Sequence, residues 1–414
     1  MDEKTLSSGA LAALVVAAIV QPGAARAQAP AAGAPGDDDR RVVVRLGEQI
    51  TREDNLYRLP DGVDPSLVLG PDASRDDSVR ATSLALLGRW TPAQQEVVLD
   101  AALAANRFAE NTDLDYTSGH GALDWNWRLG SQWSGLLEAR EEQTLASFAN
   151  TRSLEKDVFT TSGYRGEARF DVGPRWRAIG TARVATTAHD SEERRGDDAD
   201  LRDASIGVEY HTPRLSSLGW EYRRARATYP SGVVVIPGGA ASDYDDQRMN
   251  MTLGYVPSPK VALKASVGYV VRAYPYAGRG DFSGNLWNAA LQWRPVTKLQ
   301  LAIEGWRDLK AYIDAESDHF VTTGQALALT WTPVDPIGVS LQVAHEDQHY
   351  IGVVLDPLLP DREDKPTTAS LRLTYKLRDR AIFNVSYRSE ARDSNAFRFD
   401  YDAAAVSVGA EVKF

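Results

Sequence analysis

The C-terminal stretch at residues 401–414, YDAAAVSVGAEVKF, decides the fold. Its apolar residues fall on alternate positions, with Ser407, Gly409 and Glu411 between them. This alternation is typical of a β-strand with one apolar face. The apolar positions are Ala404, Val406, Val408, Ala410, Val412 and Phe414. Because a long apolar strand left open at a sheet edge would aggregate, the stretch predicts a sheet that closes on itself.

The composition fits one large repetitive β-structure. The chain has 414 residues, with ten Trp and sixteen Tyr against three Met, and no change in composition marks a domain boundary. After the N-terminus, no apolar run approaches the roughly 20 residues that a membrane-spanning helix requires. A transmembrane β-barrel, which hides half of its residues in a polar lumen, fits this composition.

Charge and cysteine content exclude several classes of protein. The formal net charge of −11 argues against a nucleic-acid partner. The chain has no Cys, which excludes disulfide scaffolds and thiolate metal sites.

The N-terminus predicts secretion. Lys4 precedes an apolar core at residues 10–20, and A-x-A cleavage motifs follow at residues 25–27 and 27–29. We interpret residues 1–27 as a signal peptide, residues 28–40 as a flexible periplasmic leader rich in Ala, Pro and Gly, and residues 41–414 as the barrel. The predicted location is therefore the outer membrane of a Gram-negative bacterium.

From residue 41 onward, alternating segments are separated in turn by short turns and by longer polar loops. The short turns recur about every forty residues, the length of two strands with one turn and one loop. Counting these connections predicts an all-β, single antiparallel barrel of about eighteen strands, with sixteen also compatible. The short turns lie at 91–92, 130–131, 173–174, 213, 257–259, 295, 333–336 and 378–380, and the long loops at 53–77, 110–119, 144–156, 189–199, 230–243, 276–281, 313–319, 351–365 and 393–399.

Aromatic residues recur beside the short turns. Trp and Tyr concentrate at the interfaces of membrane proteins, so this placement predicts an aromatic girdle. The girdle residues are Trp90, Trp133, Trp176, Tyr255, Trp293, Trp331 and Tyr375.

One segment matches a zinc-protease motif. His345-Glu346-Asp347-Gln348-His349 has the form H-E-x-x-H, which binds zinc when both histidines lie on one face of a helix. The alternation of Val339, Leu341 and Val343 predicts a strand instead, in which the two histidines would be about 13 Å apart at ~3.3 Å per residue. We therefore predict no metal site, no catalytic residue and no cofactor.

Two weaker patterns also have ordinary explanations. Gly278, Gly280 and Gly284 lack the spacing and the following helix of a nucleotide-binding loop. The acidic clusters at residues 197–200 and 243–246 are interpreted as solvated loop charges rather than calcium sites.

On many strands, the residues that alternate with the apolar face include charges of both signs. These residues are expected to line the lumen, either as cross-strand ion pairs that hold the wall or as a hydrophilic lining that binds water and hydroxyl-rich solutes. Trp306, and Tyr312 with it, could stack on sugar rings. The lumen candidates are Glu138, Arg140, Arg165, Glu167, Arg169, Asp171, Arg177, Arg183, Glu221, Arg223, Arg248, Lys264, Arg294, Glu304, Trp306, Arg372 and Arg388.

The first long loop carries a distinct motif, EDNLYRLP at residues 53–60, followed by RDDSVRATS at residues 75–83. This D-N-L-x-R-L then R-x-D-x-x-R pattern resembles the EpsL family, outer-membrane β-barrel proteins of exosortase-associated exopolysaccharide operons. The similarity is strongest over residues 46–86. Elsewhere it rests on the chain length, the regular spacing of the hairpins and the terminal Phe. The motif positions are Asn55, Arg58, Arg75 and Arg80, which could pin the first loop inside or over the barrel.

The resemblance implies a passive, non-enzymatic conduit for export of exopolysaccharide. The alternative is a general diffusion porin for small hydrophilic solutes, which the charged lining permits equally well; an outer-membrane hydrolase has only the discounted histidine pair in its favour. The expected partners are outer-membrane lipid, a polysaccharide chain, periplasmic polysaccharide-export proteins and the barrel-assembly machinery. Because that machinery reads a C-terminal aromatic residue, Phe414 is the expected assembly signal.

Overall fold

The computed structural model describes residues 42–70, 74–151, 154–213, 216–231, 243–275, 281–311, 319–351, 361–378 and 380–414. The predicted signal peptide and leader lie outside these residues, as do Gly278, Gly280 and Tyr312.

The described chain forms a single antiparallel sheet of 18 strands. Each strand pairs with its neighbours in sequence, so the topology is an up-and-down meander. The strands are β1 (Val42–Glu53), β2 (Asp77–Trp90), β3 (Glu96–Phe108), β4 (Tyr116–Leu129), β5 (Trp133–Leu145), β6 (Val158–Val172), β7 (Trp176–His189), β8 (Ala199–His211), β9 (Ser217–Thr228), β10 (Tyr244–Ser258), β11 (Val261–Ala273), β12 (Phe282–Val296), β13 (Leu299–Ala311), β14 (His319–Val334), β15 (Ile337–Ile351), β16 (Glu363–Leu377), β17 (Ala381–Ser394) and β18 (Tyr401–Lys413).

Helices are confined to the loops. A short helix, α1 (Pro65–Leu69), lies between β1 and β2, and 3-10 turns occupy Thr112–Leu114, Phe148–Asn150, Glu192–Asp197 and Phe397–Phe399. Within the described residues, no helix has the length and apolar character needed to cross a membrane.

The sheet closes on itself, as the C-terminal stretch predicts. Strand β1 pairs with β18 in continuous register from Arg45 opposite Lys413 to Glu53 opposite Ala405. Beyond the last strand residue, the Phe414 N–H donates to the Val44 carbonyl oxygen at 2.8 Å. The count of 18 is the larger of the two numbers that the loop pattern allowed, and the first strand runs to Glu53.

The outer surface is an apolar band with aromatic residues at the short-turn end. The predicted girdle residues are exposed on this surface, for example Trp90 at 59% and Trp176 at 51%. On β18, Val406 and Val408 are exposed, whereas Ala405 and Ser407 on the opposite face are buried. Alternation therefore assigns each strand an outer, lipid-like face and an inner face, as in outer-membrane barrels.

Two hairpins bend inward at the long-loop end. Leu309 of β13 and Val321 of β14 share parity with the outward-facing Ile303, yet they pack against Val270 and Leu286 on the inner face of β11 and β12. Pairing of β12 with β13 stops at the Trp287 and Arg307 pair, although β12 begins at Phe282. The end of β13 thus separates from β12, and the paired ends of β13 and β14 turn inward against β11 and β12.

The β5–β6 hairpin bends in the same way. Leu145 and Val158 have outward parity with Leu137 and Tyr164, but they pack with Phe108 and Tyr116 of the inner face of β3 and β4. Pairing of β4 with β5 ends at Gly119 opposite Gln143. The largest buried apolar cluster of the described chain therefore lies inside the mouth of the barrel.

Candidate functional site

Several of the predicted charged residues form ion pairs on the inner wall of the barrel. Arg140 contacts Glu138 at 2.9 Å, and Arg177 contacts Asp171 at 2.6 Å. Glu167 lies between Arg165 and Arg169 and contacts both. Each of these charged groups has a partner of opposite charge close by. This part of the wall is therefore hydrophilic, and neither positive nor negative charge dominates it.

Other predicted lumen residues have different partners. Arg223 pairs with Asp203 at 2.9 Å, Glu221 accepts a hydrogen bond from Asn250, and Arg294 donates to Gln300. Arg372 lies on the inner face of β16. Arg183, Lys264 and Glu304 also lie on the inner face, and none of the three forms an ion pair with a residue that the structure describes.

Trp306 lies on the inner face of β13, directly opposite Gly324 of β14. The indole covers the glycine: a Cβ placed on Gly324 would lie 2.4 Å from Trp306. The absence of a side chain at Gly324 therefore permits the ring to lie flat against the wall. An indole in this orientation presents its other face to the lumen, where it can stack on a sugar ring.

The first long loop, described at residues 54–70 and 74–76 (L1), folds into the mouth of the barrel. The Asn55 side chain donates to the carbonyl oxygens of Leu59 at 2.9 Å and Asp402 at 2.7 Å, and it accepts from the Leu59 N–H at 2.9 Å. Asn55 thus closes a tight turn and fastens it to β18. This buried amide is fully engaged, because it uses both its donors and its acceptor.

Arg58 fastens the same turn to β1 and β17. Its guanidinium contacts Glu53 at 2.6 Å and Glu390 at 2.9 Å, and it donates to the Asn55 carbonyl oxygen at 2.5 Å. Arg58 is 2% exposed and has a left-handed φ of 53°. Burial alone would lower the pKa of Arg58, but the carboxylates of Glu53 and Glu390 raise it above its usual value.

The apolar residues of L1 pack against the inner face of β3 and β4, two and three strands from β1 in the ring. Leu56, Tyr57 and Leu59 are at most 4% exposed and pack in the cluster with Phe108 and Tyr116. Burial, with smaller effects of Asp113 and Asp77, raises the pKa of Tyr57 to about 12, so the phenol is neutral at physiological pH. L1 therefore covers the inner wall over one sector of the ring, from β17 through β1 to β4.

A second loop, described at residues 146–151 and 154–157 (L3), lies beside L1 inside the mouth. The Phe148 ring lies 4.8 Å from the Tyr57 ring, and Ala149 packs against Tyr401 and Ala403 of β18. The Arg392 guanidinium of β17 donates to the Ala149 carbonyl oxygen at 2.7 Å. L1 and L3 together with the two bent hairpins form a plug, the name used below for these four segments.

The remaining motif positions contribute differently. Arg75 contacts Asp61 at 3.2 Å and the Leu59 carbonyl oxygen at 3.3 Å, so it braces L1 from within. Arg80 does not pin the loop: it shares the outer face with Ile50 and Leu84 and pairs there with Glu48. The parity of β2 decides this, because Arg80 and Leu84 are an even number of residues apart.

Buried ionic networks lie at the loop end of the inner wall. Arg272 forms two hydrogen bonds with Asp246, at 2.7 and 2.9 Å, and its guanidinium lies 3.7 Å from the Tyr244 ring centroid. Arg248 joins Asp246 at 3.2 Å and reaches Asp308 on the bent β13–β14 hairpin at 3.4 Å. Asp246, part of a predicted solvated cluster, is thus 3% exposed and paired; that interpretation was wrong for this residue.

Sequence reasoning missed Arg272 and Arg392 as lumen residues. A signal was present, since Arg272 has the parity of Lys264, and Arg392 has the parity of Arg388 and Glu390. Their partners could not be predicted, because Arg392 reaches Ala149, 243 residues away in the chain.

The H-E-x-x-H motif is divided between the two faces of β15. Glu346 points inward and accepts hydrogen bonds from Thr322 at 3.1 Å and Gln348 at 2.7 Å. His345 and His349 lie on the other face, next to Thr367 and Glu363. The motif therefore cannot gather its side chains around one metal ion, and no cluster of metal-ligating residues occurs in the described ranges.

Comparison with known proteins agrees with a porin-like barrel. Residues 257–414 match the family described as "Putative beta-barrel porin 2". No curated protein sequence gives a significant match.

Solved structures share the fold. The FrpB iron transporter from Neisseria meningitidis is 10% identical, with a TM-score of 0.50 over 91% of this chain and 83% of its own. OccK2 (OpdF) from Pseudomonas aeruginosa, solved in complex with glucuronate, is 14% identical, with a TM-score of 0.46 over 90% of this chain and 98% of its own. The geometry, together with the likeness to FrpB, supports a β-barrel of the outer-membrane type.

Proposed function

We propose that this protein is an outer-membrane channel for export of exopolysaccharide, with the plug as its gate. The observation that carries the proposal is the role of Asn55 and Arg58. These residues belong to the loop motif that resembles the EpsL family, and they are the residues that hold L1 inside the lumen. The motif thus coincides with the turn that fastens L1 inside the mouth.

The lining suits a polyhydroxylated chain. Charged groups paired across the wall offer donors and acceptors to hydroxyl groups, and Trp306 offers a flat apolar surface for a sugar ring. Because positive and negative groups alternate, the wall does not repel a neutral polymer and does not select for either charge.

A general diffusion porin for small hydrophilic solutes is the alternative, supported by the same lining. The two functions differ in the resting state of the mouth. A diffusion porin requires an aqueous path at rest, whereas an exporter requires one only while polymer passes. The plug, with its buried charges and aromatic contacts, favours the exporter.

Export is tested by deleting the gene. We expect intracellular polymer synthesis to continue while secreted polysaccharide falls, and re-expression of the wild-type chain should restore secretion. Unchanged secretion in the deletion strain would refute the export function.

Gating is tested in planar bilayers. The chain has no native cysteine, so the Tyr57→Cys/Phe148→Cys variant can be joined by a short bifunctional thiol reagent that ties L1 to L3. We expect low conductance when the link is present and larger openings once a reducible link is cleaved. High conductance with small-sugar permeation in the wild-type protein, independent of the link, would favour the porin.

The remaining parts of the proposal follow from secretion and assembly. We infer that the signal peptide directs the chain to the periplasm, that the barrel-assembly machinery inserts it into outer-membrane lipid, and that periplasmic polysaccharide-export proteins deliver the polymer. The protein acts without catalytic residues or cofactors.

A further inference from the structure

The outer face of strands β4 to β7 carries an apolar groove that takes no part in the lumen. The groove has a volume of about 400 Å³. It lies where the small residues Gly166 and Ala182 leave space between Trp125, Leu137 and Tyr164. Leu137 and Tyr164 are 46% and 65% exposed, so the groove opens toward the surrounding lipid. Its shape and apolar walls suit an acyl chain.

Three exposed arginines, Arg202, Arg224 and Arg226, lie beside this groove and are called the arginine patch. Arg202 of β8 is directly opposite Arg226 of β9, on the outer face. Like charges in directly opposed positions destabilise a sheet. Asp245 contacts Arg224 at 3.8 Å, but neither Arg202 nor Arg226 forms an ion pair with any carboxylate that the structure describes.

The patch and the groove are close neighbours. Tyr164, Val184, Arg202 and Arg226 are consecutive partners across β6, β7, β8 and β9. Val184 itself lines the groove. Adjacent strands are about 4.8 Å apart, so the edge of the groove is about 5 Å from Arg202. This distance is within the span of one lipid molecule.

The height of the patch matches a lipid headgroup. Arg224 is the next outward-facing residue after Tyr222, whose cross-strand partner Ile206 is 64% exposed. The arginines therefore lie where the apolar band ends, on the long-loop side. Asp200 is the next outward residue on β8 beyond Arg202, which places a carboxylate on the loop side of the patch.

We propose that this surface binds an acylated lipid with a phosphorylated headgroup. An acyl chain occupies the groove, and the phosphates lie against Arg202 and Arg226. Arginine binds phosphate through paired hydrogen bonds, and a phosphate between the two guanidinium groups removes their mutual repulsion. A lipid is the occupant because its single molecule supplies both the anionic and the apolar part.

The test is native mass spectrometry of the folded barrel in a nonionic detergent. The probes are diphosphorylated lipid A, its dephosphorylated form, and inorganic pyrophosphate. We expect the wild-type protein to retain the diphosphorylated lipid and the Arg202→Gln/Arg226→Gln variant to bind it at least about tenfold more weakly, from the loss of charge-assisted hydrogen bonds. Ala182→Phe, which fills the groove, should weaken the lipid similarly.

Arg80→Gln is the matched control, because Arg80 is also an outer-face arginine but pairs with Glu48. It should bind the lipid like the wild-type protein, and heat-modifiable migration on a gel verifies that each variant is folded. Equal binding of the dephosphorylated lipid would contradict the role of the arginines. Competition by pyrophosphate as strong as that of the lipid, with Ala182→Phe unaffected, would contradict the role of the groove.

Discussion

At the scale of single residues, Arg58 holds the plug against the wall. A left-handed backbone costs a non-glycine residue about 1–3 kcal/mol. The two carboxylates, Glu53 and Glu390, offset this cost by pairing with a guanidinium that is almost fully buried. Arginine suits this turn because its planar guanidinium has five N–H donors and contacts both carboxylates and the Asn55 carbonyl oxygen at once.

Arg58→Ala should release L1 from the lumen. Breaking a buried ion pair costs about 3–5 kcal/mol, and the loss here should lie near the lower end because Arg388 still faces both carboxylates. We expect more frequent channel openings in bilayers and faster protease cleavage within L1. Arg75→Ala is the control: its partner Asp61 is exposed, so at most about 1 kcal/mol should be lost. Equal protection of L1 in both variants would refute the role of Arg58.

Gly324→Val should displace the Trp306 indole from the wall. The added Cβ would lie 2.4 Å from the ring, and such overpacking costs about 1–3 kcal/mol. We expect a shifted Trp fluorescence maximum and a lower temperature for loss of heat-modifiable migration. Gly338→Val is the matched control, because its Cβ would have no neighbour nearer than 3.8 Å. Similar effects of the two substitutions would show that the Trp306 contact is unimportant.

At the scale of elements, the β5–β6 and β13–β14 hairpins lose the alternation of inner and outer side chains where they lose a neighbouring strand. Once β13 no longer pairs with β12, its outer face is free to turn inward, and Leu309 and Val321 become buried against Val270 and Leu286. The same residues that would contact lipid in a straight barrel thus pack inside the mouth.

Leu309→Asn should loosen the β13–β14 hairpin without unfolding the barrel. Removing the leucine and burying an amide there costs about 2–5 kcal/mol, whereas the strand pairs below this position are unaffected. We expect protease sensitivity at the end of the hairpin and larger conductance, with normal heat-modifiable migration. Thr323→Asn, on the same outer face of β14 as Val321, should behave like the wild-type protein. Loss of the folded band for Leu309→Asn alone would mean that the hairpin supports the whole barrel.

At the scale of the molecule, closure between β1 and β18 removes the sheet edges. The seam is continuous in register and extends to Phe414, whose N–H donates to the Val44 carbonyl oxygen. The hydrophilic lumen and the apolar exterior both depend on this closure, because each strand contributes to the two surfaces in alternation.

Deletion of Phe414 should reduce assembly rather than alter conduction. The deletion removes the last hydrogen bonds of the seam and the exposed terminal aromatic side chain, while the lumen residues remain in place. We expect less folded protein in the membrane fraction, with unchanged single-channel conductance in the molecules that assemble. Phe397→Ala, which removes an exposed Phe at the loop end, is the control and should assemble normally. Normal assembly without Phe414 would contradict its role as the assembly signal.

The sequence by itself determined the barrel, its closure and the two faces of its wall. Strand parity is a local property, so Trp90 and Val408 could be assigned to the outer face, and Arg140 and Arg177 to the inner face, before any contact was known. Turn residues and loop lengths are also local, and they sufficed for the strand number to within two.

Only the tertiary structure decided the plug. The contacts of Asn55 with Asp402, and of Arg392 with Ala149, join residues 347 and 243 positions apart, and no local pattern specifies such partners. The inward bend of the hairpins likewise cannot be predicted from strand parity. Leu145 and Leu309 continue the outward-facing pattern in the sequence, and they turn inward only because a neighbouring strand is lost. Alternation reports the face of a strand, whereas the path of that strand depends on what it packs against.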